Sequence, residues 1–162
     1  MTGYDAARRA IDHLCGCAER QLGGIALRLA LALETPSSLR YPRDNVPACD
    51  FESVIDDSLR DSASHEWTVG KSRTLREGGA GGADATIIAY GALALSAMVA
   101  AEELTAEGLS VAVIDARFAK PLDADMLTRT LRPSHPVLTL EDHALQNGVG
   151  TAVREFAAAH GL

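Results

Sequence analysis

The chain has few aromatic residues and no apolar run long enough to cross a bilayer. Phe, Trp and Tyr make up 4% of its 162 residues, so we expect a core of aliphatic side chains. The most apolar segment, 25–33, is interrupted by Arg28 and is far shorter than the roughly 20 residues of a membrane helix. The segment Met1 to Asp5 has no apolar core of a secretory signal. These features predict a soluble, cytoplasmic globular protein with no membrane partner.

Cysteine is scarce, and basic residues are outnumbered by acidic ones. Cys15, Cys17 and Cys49 form no CxxC pair and no metal-ligand spacing, which favours reduced thiols in a cytosol. Lys and Arg number 15 against 22 Asp and Glu, for a net charge of −7. This balance excludes the clustered basic surface that binds nucleic acid. The sequence also lacks a Gly-x-Ser-x-Gly elbow, a Walker loop and a zinc constellation, so no metal site is predicted.

The first 47 residues predict a helical segment. Apolar residues recur at helical spacing over 5–22, and Gly23-Gly24 is expected to end that helix. The segment 25–33 predicts a second short helix that stops before Pro36, because a residue that precedes proline avoids the α region. A short strand is possible over 37–41.

Residues 48–84 are weakly patterned and predict a linker lying along a surface, in which only 67–69 and 74–75 are expected to be extended. The glycine-rich run at 78–82 resembles a phosphate loop, but it precedes a strand instead of following one. It therefore fails the context test for a dinucleotide fingerprint, and we interpret it as a flexible join.

The remaining residues, 85–162, alternate regularly between strand and helix patterns. Apolar strands are predicted at 86–90, 110–115 and 137–140, and helices at 93–107, 123–131 and 150–159. Strands buried on both faces indicate a small, mostly parallel sheet inside a three-layer αβα arrangement with right-handed crossovers. Gly108 is expected just beyond the first of these helices, and Asp123 is expected to cap the second. Three strands make a small sheet, so one sheet edge is expected to be incomplete.

The segment Asp115–Asp123 joins a predicted strand to a predicted helix through a polar turn. Such turns lie at the carboxyl edge of a parallel sheet, where ligands bind in open α/β folds. A second polar loop at the same edge holds Glu141, Asp142 and His143, followed by glycines that open a helix. A histidine beside carboxylates is suited to general base catalysis, and a helix N-terminus is suited to an anion. From residue types alone, a polar loop at the sheet edge, with glycines that serve turn geometry, is favoured over a catalytic or anion-binding loop.

Arg40 and Arg43 flank Tyr41-Pro42 and form the sharpest candidate for ligand contact. Two guanidinium groups three residues apart can converge on one phosphate, and proline stiffens the backbone between them. The alternative is surface pairing with Asp44 or Asp50, which the spacing alone favours. The histidines His13, His65, His135 and His160 have no ligand-type partner at helical spacing and are expected to be ordinary surface or half-buried residues.

A series of motifs in one order resembles a known family. The motifs are Arg40–Asp44, Gly70-Lys71, Leu75–Gly78, Ala85–Gly91, Val113–Asp123, Glu141–Ala144 and Gly148–Gly150. Over 29–162 the chain resembles the C-terminal part of 1-deoxy-D-xylulose-5-phosphate synthases, which belong to the transketolase-like thiamine diphosphate enzymes. Residues 1–24 show no clear match. The resemblance implies a remnant of the pyrimidine-binding domain within 1–47 and a transketolase C-terminal-like domain at 85–162, without that domain's last strand and helix.

The resemblance also implies a reaction and its cofactors. This family condenses pyruvate with glyceraldehyde 3-phosphate and releases carbon dioxide, using thiamine diphosphate and Mg²⁺, for isoprenoid and thiamine precursor synthesis. An arginine of the Arg-Tyr-Pro-Arg segment grips the aldehyde's phosphate, and here that role would fall to Arg40 or Arg43. His143 is then structural.

The family's Gly-Asp-Gly motif and its activating glutamate are absent, since Glu19 and Glu34 match no such context. We therefore expect a fragment or one part of a split enzyme, inactive alone and binding no cofactor by itself. It would work as a homodimer or with a partner chain that supplies the diphosphate and pyrimidine domains. The alternatives are a non-catalytic dimerisation or interaction module of a split thiamine diphosphate enzyme and a beta-subunit-like part of a 2-oxo-acid dehydrogenase.

Overall fold

The computed structural model describes residues 18–39 and 67–162. The chain divides into two compact units, Met1–Val54 and Ile55–Leu162. In the described ranges, no helix is both long enough and apolar enough to cross a membrane.

The described part of the first unit is one helix, α1, spanning Ala18–Ala32. The predicted break at Gly23-Gly24 was wrong, because the helix continues through both glycines. Each helical glycine costs about 1 kcal/mol of helix stability relative to alanine. The alanines and leucines that follow the glycines favour the helix and offset this cost. The hydroxyl of Ser37 donates to the carbonyl of Ala30 at 3.3 Å and closes the helix end. Residues 37–39 form no strand.

The described part of the second unit, residues 67–162, holds four strands and three helices. In chain order these are β1 (Arg73–Arg76), β2 (Ala85–Tyr90), α2 (Leu93–Ala106), β3 (Val111–Asp115), α3 (Ala124–Thr130), β4 (Val137–Glu141) and α4 (Val149–His160). The sheet order is β1-β3-β2-β4. Strand β2 runs parallel to both β3 and β4, and β1 runs antiparallel to β3. The predicted α/β class with a small, mostly parallel sheet is confirmed.

The sheet lies between two helical layers. Ile88 and Ile114 pack with α3 and α4 in one buried aliphatic cluster, which includes Leu127 and Val153. Because side chains alternate along a strand, Ile87 and its cross-strand partner Val113 face the opposite side, where α2 packs on β2 and β3. The alanines of α2 are largely buried there, so this helix approaches the sheet closely.

Strand β1 lies inside the segment predicted to be a linker. Its four residues include a single aliphatic one, Leu75, and both ends are arginines, so its sequence has no clear strand pattern. Tertiary pairing with β3 overrides that weak signal. The sheet therefore has one more strand than the sequence pattern predicted.

The glycine-rich run is tied to the sheet. Gly82 N–H donates to the carbonyl of Gly79 at 2.8 Å and closes a tight turn. The hydroxyl of Ser110, just before β3, accepts from Gly79 N–H at 2.7 Å and donates to the Gly82 carbonyl at 2.9 Å. This turn is therefore anchored at the amino edge of the sheet, where a flexible join had been expected.

Candidate functional site

Several polar side chains singled out in the sequence lie at the carboxyl edge of the sheet. Strands β2, β3 and β4 end there at Tyr90, Asp115 and Glu141. The loop that follows each strand determines what these polar groups can do.

Asp115 lies at the end of β3 between two arginines. It pairs across the sheet with Arg73 of β1, whose side chain is almost fully buried. Its carboxylate accepts from the backbone N–H of Arg117 at 3.0 Å and lies 4.0 Å from the Nε of Arg117. Burial raises the pKa of Asp115, and the Arg117 hydrogen bond and both guanidinium charges oppose that rise.

Arg117 has a left-handed backbone, with φ of 54°. This conformation is uncommon outside glycine, asparagine and aspartate. Its guanidinium lies over the ring of Trp67, 4.8 Å from the centroid, and Phe118 meets the same ring edge-on at 5.7 Å. The cation–π and aromatic contacts attach the segment before β1 to the end of β3.

A second junction joins Gly70-Lys71-Ser72 to the start of α3. The carboxylate of Asp123 caps α3 by accepting from Met126 N–H at 3.1 Å. Its other oxygen accepts from the N–H and the hydroxyl of Ser72, each at 2.9 Å. Lys71 donates to Asp125 at 2.6 Å and lies 3.7 Å from Asp123. The predicted helix cap is confirmed, and the same carboxylate also binds Ser72, just before β1.

The charge state of Asp123 follows from these contacts. Burial alone would raise its pKa, but the hydrogen bonds from Ser72 and Met126 and the charge of Lys71 outweigh burial, so its pKa lies below the ordinary range. The hydrogen bond to Asp125 and the charge of Asp123 raise the pKa of Lys71. Both groups are therefore fixed in their charged forms at neutral pH and are unsuited to exchanging protons with a substrate.

The backbone N–H groups at the start of α4 are already occupied by an anion from the chain itself. The two carboxylate oxygens of Glu141 accept from Val149 N–H at 2.7 Å and from Gly150 N–H at 2.8 Å. A Cβ at Gly148 would lie 2.5 Å from a Glu141 oxygen, and one at Gly150 would lie 2.6 Å from the Thr139 hydroxyl. The glycines therefore allow the close approach of β4, and this helix N-terminus holds Glu141.

The described histidines lie at the surface or are half-buried. His143 is exposed in the loop after β4. His135 shares a 2.9 Å hydrogen bond with the hydroxyl of buried Thr86, and His160 stacks on Phe156 at 4.0 Å. His13 and His65 lie outside the described residues.

Arg40 and Arg43 also lie outside the described residues, and their role stays a prediction. Cys15, Cys17 and Cys49 are outside as well. Sequence reasoning missed Arg73 and Trp67, which anchor the carboxyl edge. The one available signal was that Trp67 is the single tryptophan of the chain.

The carboxyl edge does not fit a metal ion. Within 18–39 and 67–162, no three His, Cys, Asp or Glu side chains are grouped to hold a cation. Asp115, Asp123 and Glu141 instead accept hydrogen bonds from the chain's own N–H and hydroxyl groups. The arrangement holds loops in place.

The opposite, amino edge of the sheet has an open cleft of about 480 Å³. It lies between the glycine turn, the end of α2 and the start of β3, and Arg76 donates to Thr105 within it at 3.1 Å. The carbonyl end of α2 carries partial negative charge, which offsets the charge of Arg76. We assign no ligand to this cleft.

Comparison with known proteins agrees with this fold. The family model described as "Transketolase, C-terminal domain" matches residues 70–162. The chain therefore belongs to the transketolase C-terminal domain family, and the resemblance noted in its motifs is confirmed.

Individual relatives are more specific. The chain is 41% identical to 1-deoxy-D-xylulose-5-phosphate synthase of Lysinibacillus sphaericus over 78% of its own length and 18% of that enzyme. It is 35% identical to the Heliobacterium modesticaldum enzyme over 84% of its length and 19% of that enzyme. The chain thus spans about a fifth of these curated relatives.

A solved structure described as "Split gene transketolase, inactive beta4 tetramer" matches with a TM-score of 0.70 and 29% identity. The match covers 88% of this chain and 42% of that one.

Proposed function

We propose that the chain is the C-terminal assembly part of a 1-deoxy-D-xylulose-5-phosphate synthase. The complete enzyme would condense pyruvate with glyceraldehyde 3-phosphate and release carbon dioxide, for isoprenoid and thiamine precursor synthesis. The observation that carries this proposal is the identity of 35–41% with enzymes of that name over most of the chain's length.

The carboxyl edge supports an assembly role. Its carboxylates hold a backbone turn, a helix cap and a helix N-terminus, so they are used for structure. Thiamine diphosphate and Mg²⁺ would be held by the diphosphate and pyrimidine domains, on a partner chain or another part of the enzyme. The solved relative described as a split gene transketolase supports division of such an enzyme between chains.

The test is reconstitution. The purified chain with pyruvate, glyceraldehyde 3-phosphate, thiamine diphosphate and Mg²⁺ should give no product. Adding a chain that carries the diphosphate and pyrimidine domains should restore turnover and co-purify with it. Turnover by this chain alone, or failure of the two chains to associate, would contradict the proposal.

We also propose that Arg40 or Arg43 contacts the aldehyde's phosphate in the assembled enzyme. Loss of a charged hydrogen bond to phosphate typically weakens binding about 10- to 100-fold. We expect Arg40→Ala or Arg43→Ala to raise the KM for glyceraldehyde 3-phosphate by this factor and to leave the KM for pyruvate unchanged. Arg129→Ala, at an exposed position on α3, is the control. Equal effects on both substrates would argue against phosphate contact.

A further inference from the structure

The residues just before α4 form a chemically labile pair. The chain has two asparagines, Asn45, which precedes valine, and Asn147, which precedes glycine. The backbone nitrogen of the residue after an asparagine can attack the asparagine side-chain carbonyl. Glycine hinders this attack least because it has no side chain, whereas the branched side chain of valine obstructs it. Asn147-Gly148 is therefore the place in this chain where spontaneous deamidation is chemically favoured.

The fold exposes Asn147 and holds Gly148. Asn147 is exposed and has a left-handed backbone with φ of 61°, a conformation that asparagine tolerates. Gly148 is buried, and its carbonyl accepts from the N–H of Ala152 at 3.1 Å. The carboxylate of Glu141 accepts from the next two N–H groups of α4, at 2.7 and 2.8 Å. These contacts hold the nitrogen that would attack, so the reaction requires the start of α4 to open.

We propose that Asn147-Gly148 is a deamidation site whose reaction is controlled by the contact between Glu141 and α4. When the contact opens, the nitrogen of Gly148 attacks Cγ of Asn147 and loses its proton, and the side-chain amide leaves with a proton as ammonia. Water then opens the resulting cyclic succinimide at either carbonyl, which gives aspartate or isoaspartate. The rate is that of the open loop multiplied by the fraction of molecules in which the loop is open.

Either product opposes the return of the Glu141 contact. Aspartate places a second carboxylate beside Gly148, and the two like charges repel at the helix N-terminus that Glu141 occupies. Isoaspartate routes the main chain through the former side chain and adds a methylene just before Gly148. Space is short there, because a Cβ at Gly148 would lie 2.8 Å from the carbonyl oxygen of Ala144. The modification therefore converts a transient opening of α4 into a lasting one.

Peptide mapping by mass spectrometry during incubation at neutral pH measures the rate at each asparagine. In the unmodified chain, Asn147 should react more slowly in buffer than in urea that unfolds the chain, and in urea Asn45 should be the slower of the two. Glu141→Gln should speed the reaction at Asn147 in buffer at least about fivefold, because it weakens the contact that closes the loop. Glu155→Gln, at an exposed position on α4, should leave the rate unchanged.

Equal rates at Asn147 in buffer and in urea would overturn control by the fold, and this comparison needs no variant. Equal rates in Glu141→Gln and Glu155→Gln would overturn the role of Glu141. Absence of deamidation at Asn147 in the unfolded chain would overturn the site itself.

Hydrogen exchange tests the consequence of the modification. Deamidated chain, separated from unmodified chain by its extra negative charge, should show faster exchange at the amides of Val149 and Gly150, which Glu141 binds. The amides of β2 and β3 serve as the control and should exchange equally in both forms. Unchanged exchange at Val149 and Gly150 would overturn the lasting opening of α4.

Discussion

At the residue scale, three carboxylates organise the loops at the carboxyl edge of the sheet. Asp115 holds the turn after β3, Asp123 joins α3 to the segment before β1, and Glu141 holds the start of α4. Each accepts from backbone N–H groups, which would otherwise lack partners where loops leave the sheet. These residues therefore stabilise the fold at the edge where many α/β proteins bind ligands.

Replacing Glu141 tests its structural role. In Glu141→Gln the amide keeps one acceptor oxygen but loses the charge and one of two charge-assisted hydrogen bonds to α4. We expect the free energy of unfolding, measured by urea denaturation, to fall by about 1–3 kcal/mol. Glu155→Gln, at an exposed position on α4, should change it by less than about 0.5 kcal/mol. Equal effects would show that the bonds to Val149 and Gly150 matter little.

Asp123 predicts a specific pH dependence. Its pKa is lower in the folded chain than in the unfolded one. Its contribution is therefore fully present above the unfolded pKa of about 4 and is lost as pH falls through the folded value. We expect Asp123→Asn to lower the free energy of unfolding at pH 7. Between about pH 5 and pH 3, the free energy of unfolding of the variant should fall less steeply than that of the unmodified chain.

Asp115 has the opposite sign, because its pKa is raised in the folded chain. Its contribution declines as pH rises above the unfolded pKa. The free energy of unfolding of Asp123→Asn is therefore compared with that of the unmodified chain at each pH. Asp115 titrates in both proteins, so its effect cancels in the difference. Parallel stability curves for the two proteins would contradict the role given to Asp123.

At the element scale, β1 is held in the sheet by its flanking segments more than by its own sequence. Trp67 packs against Arg117 and Phe118, and Ser72 donates to Asp123. Gly70 lies between these contacts with φ of 73°. A Cβ at that position would lie 2.9 Å from Cγ of Pro121. This glycine therefore fixes how closely the segment approaches the turn before α3.

Two glycines with nearly the same φ distinguish the cost of backbone strain from the cost of a steric contact with Pro121. Gly70→Ala and Gly91→Ala both place alanine at a positive φ, 73° and 72°, but nothing lies within 4 Å of a Cβ at Gly91. Both should lose about 1–2 kcal/mol of unfolding free energy from backbone strain. Gly70→Ala should lose about 1–3 kcal/mol more through overpacking against Pro121. Urea denaturation of the pair measures the difference, and equal losses would contradict the contact.

Elements with a local sequence signal formed where the sequence predicted them. Strands β2, β3 and β4 and helices α2, α3 and α4 are within one or two residues of their predicted bounds, because apolar runs and caps are local signals. Only the two central residues of β1 were predicted to be extended, and the strand was assigned to a linker, because its stability comes from pairing with β3, a contact far away along the chain. The break at Gly23-Gly24 was wrong because glycine disfavours a helix without preventing it.

In the candidate site, too, local features were predicted and contacts between distant residues were not. The cap at Asp123 was predicted from residue type and position. The junction of Asp123 with Ser72 could not be, since these residues are 51 apart in the sequence. Arg73 and Trp67 gave no pattern because their roles depend on β3 and the loop that follows it.

At the scale of the whole molecule, the central strands should be the most persistent part of the second unit. Strands β2 and β3 pair on both sides and carry the aliphatic core. Their amides should exchange with solvent only through global unfolding, and those of β1 should exchange faster through local opening. Native-state hydrogen exchange measures both. Equal protection in β1 and β2 would indicate that the edge opens only with the core.

The turn closed by Ser110 has a practical consequence. Nothing lies within 4 Å of a Cβ at Gly81, at the tip of this turn, and the hydrogen bonds on either side are made by Gly79 and Gly82. Adding residues to a surface loop costs little closure entropy. A fluorophore attachment site or an affinity peptide inserted at Gly81 would therefore project from the amino edge, leaving the carboxyl edge free for reconstitution experiments.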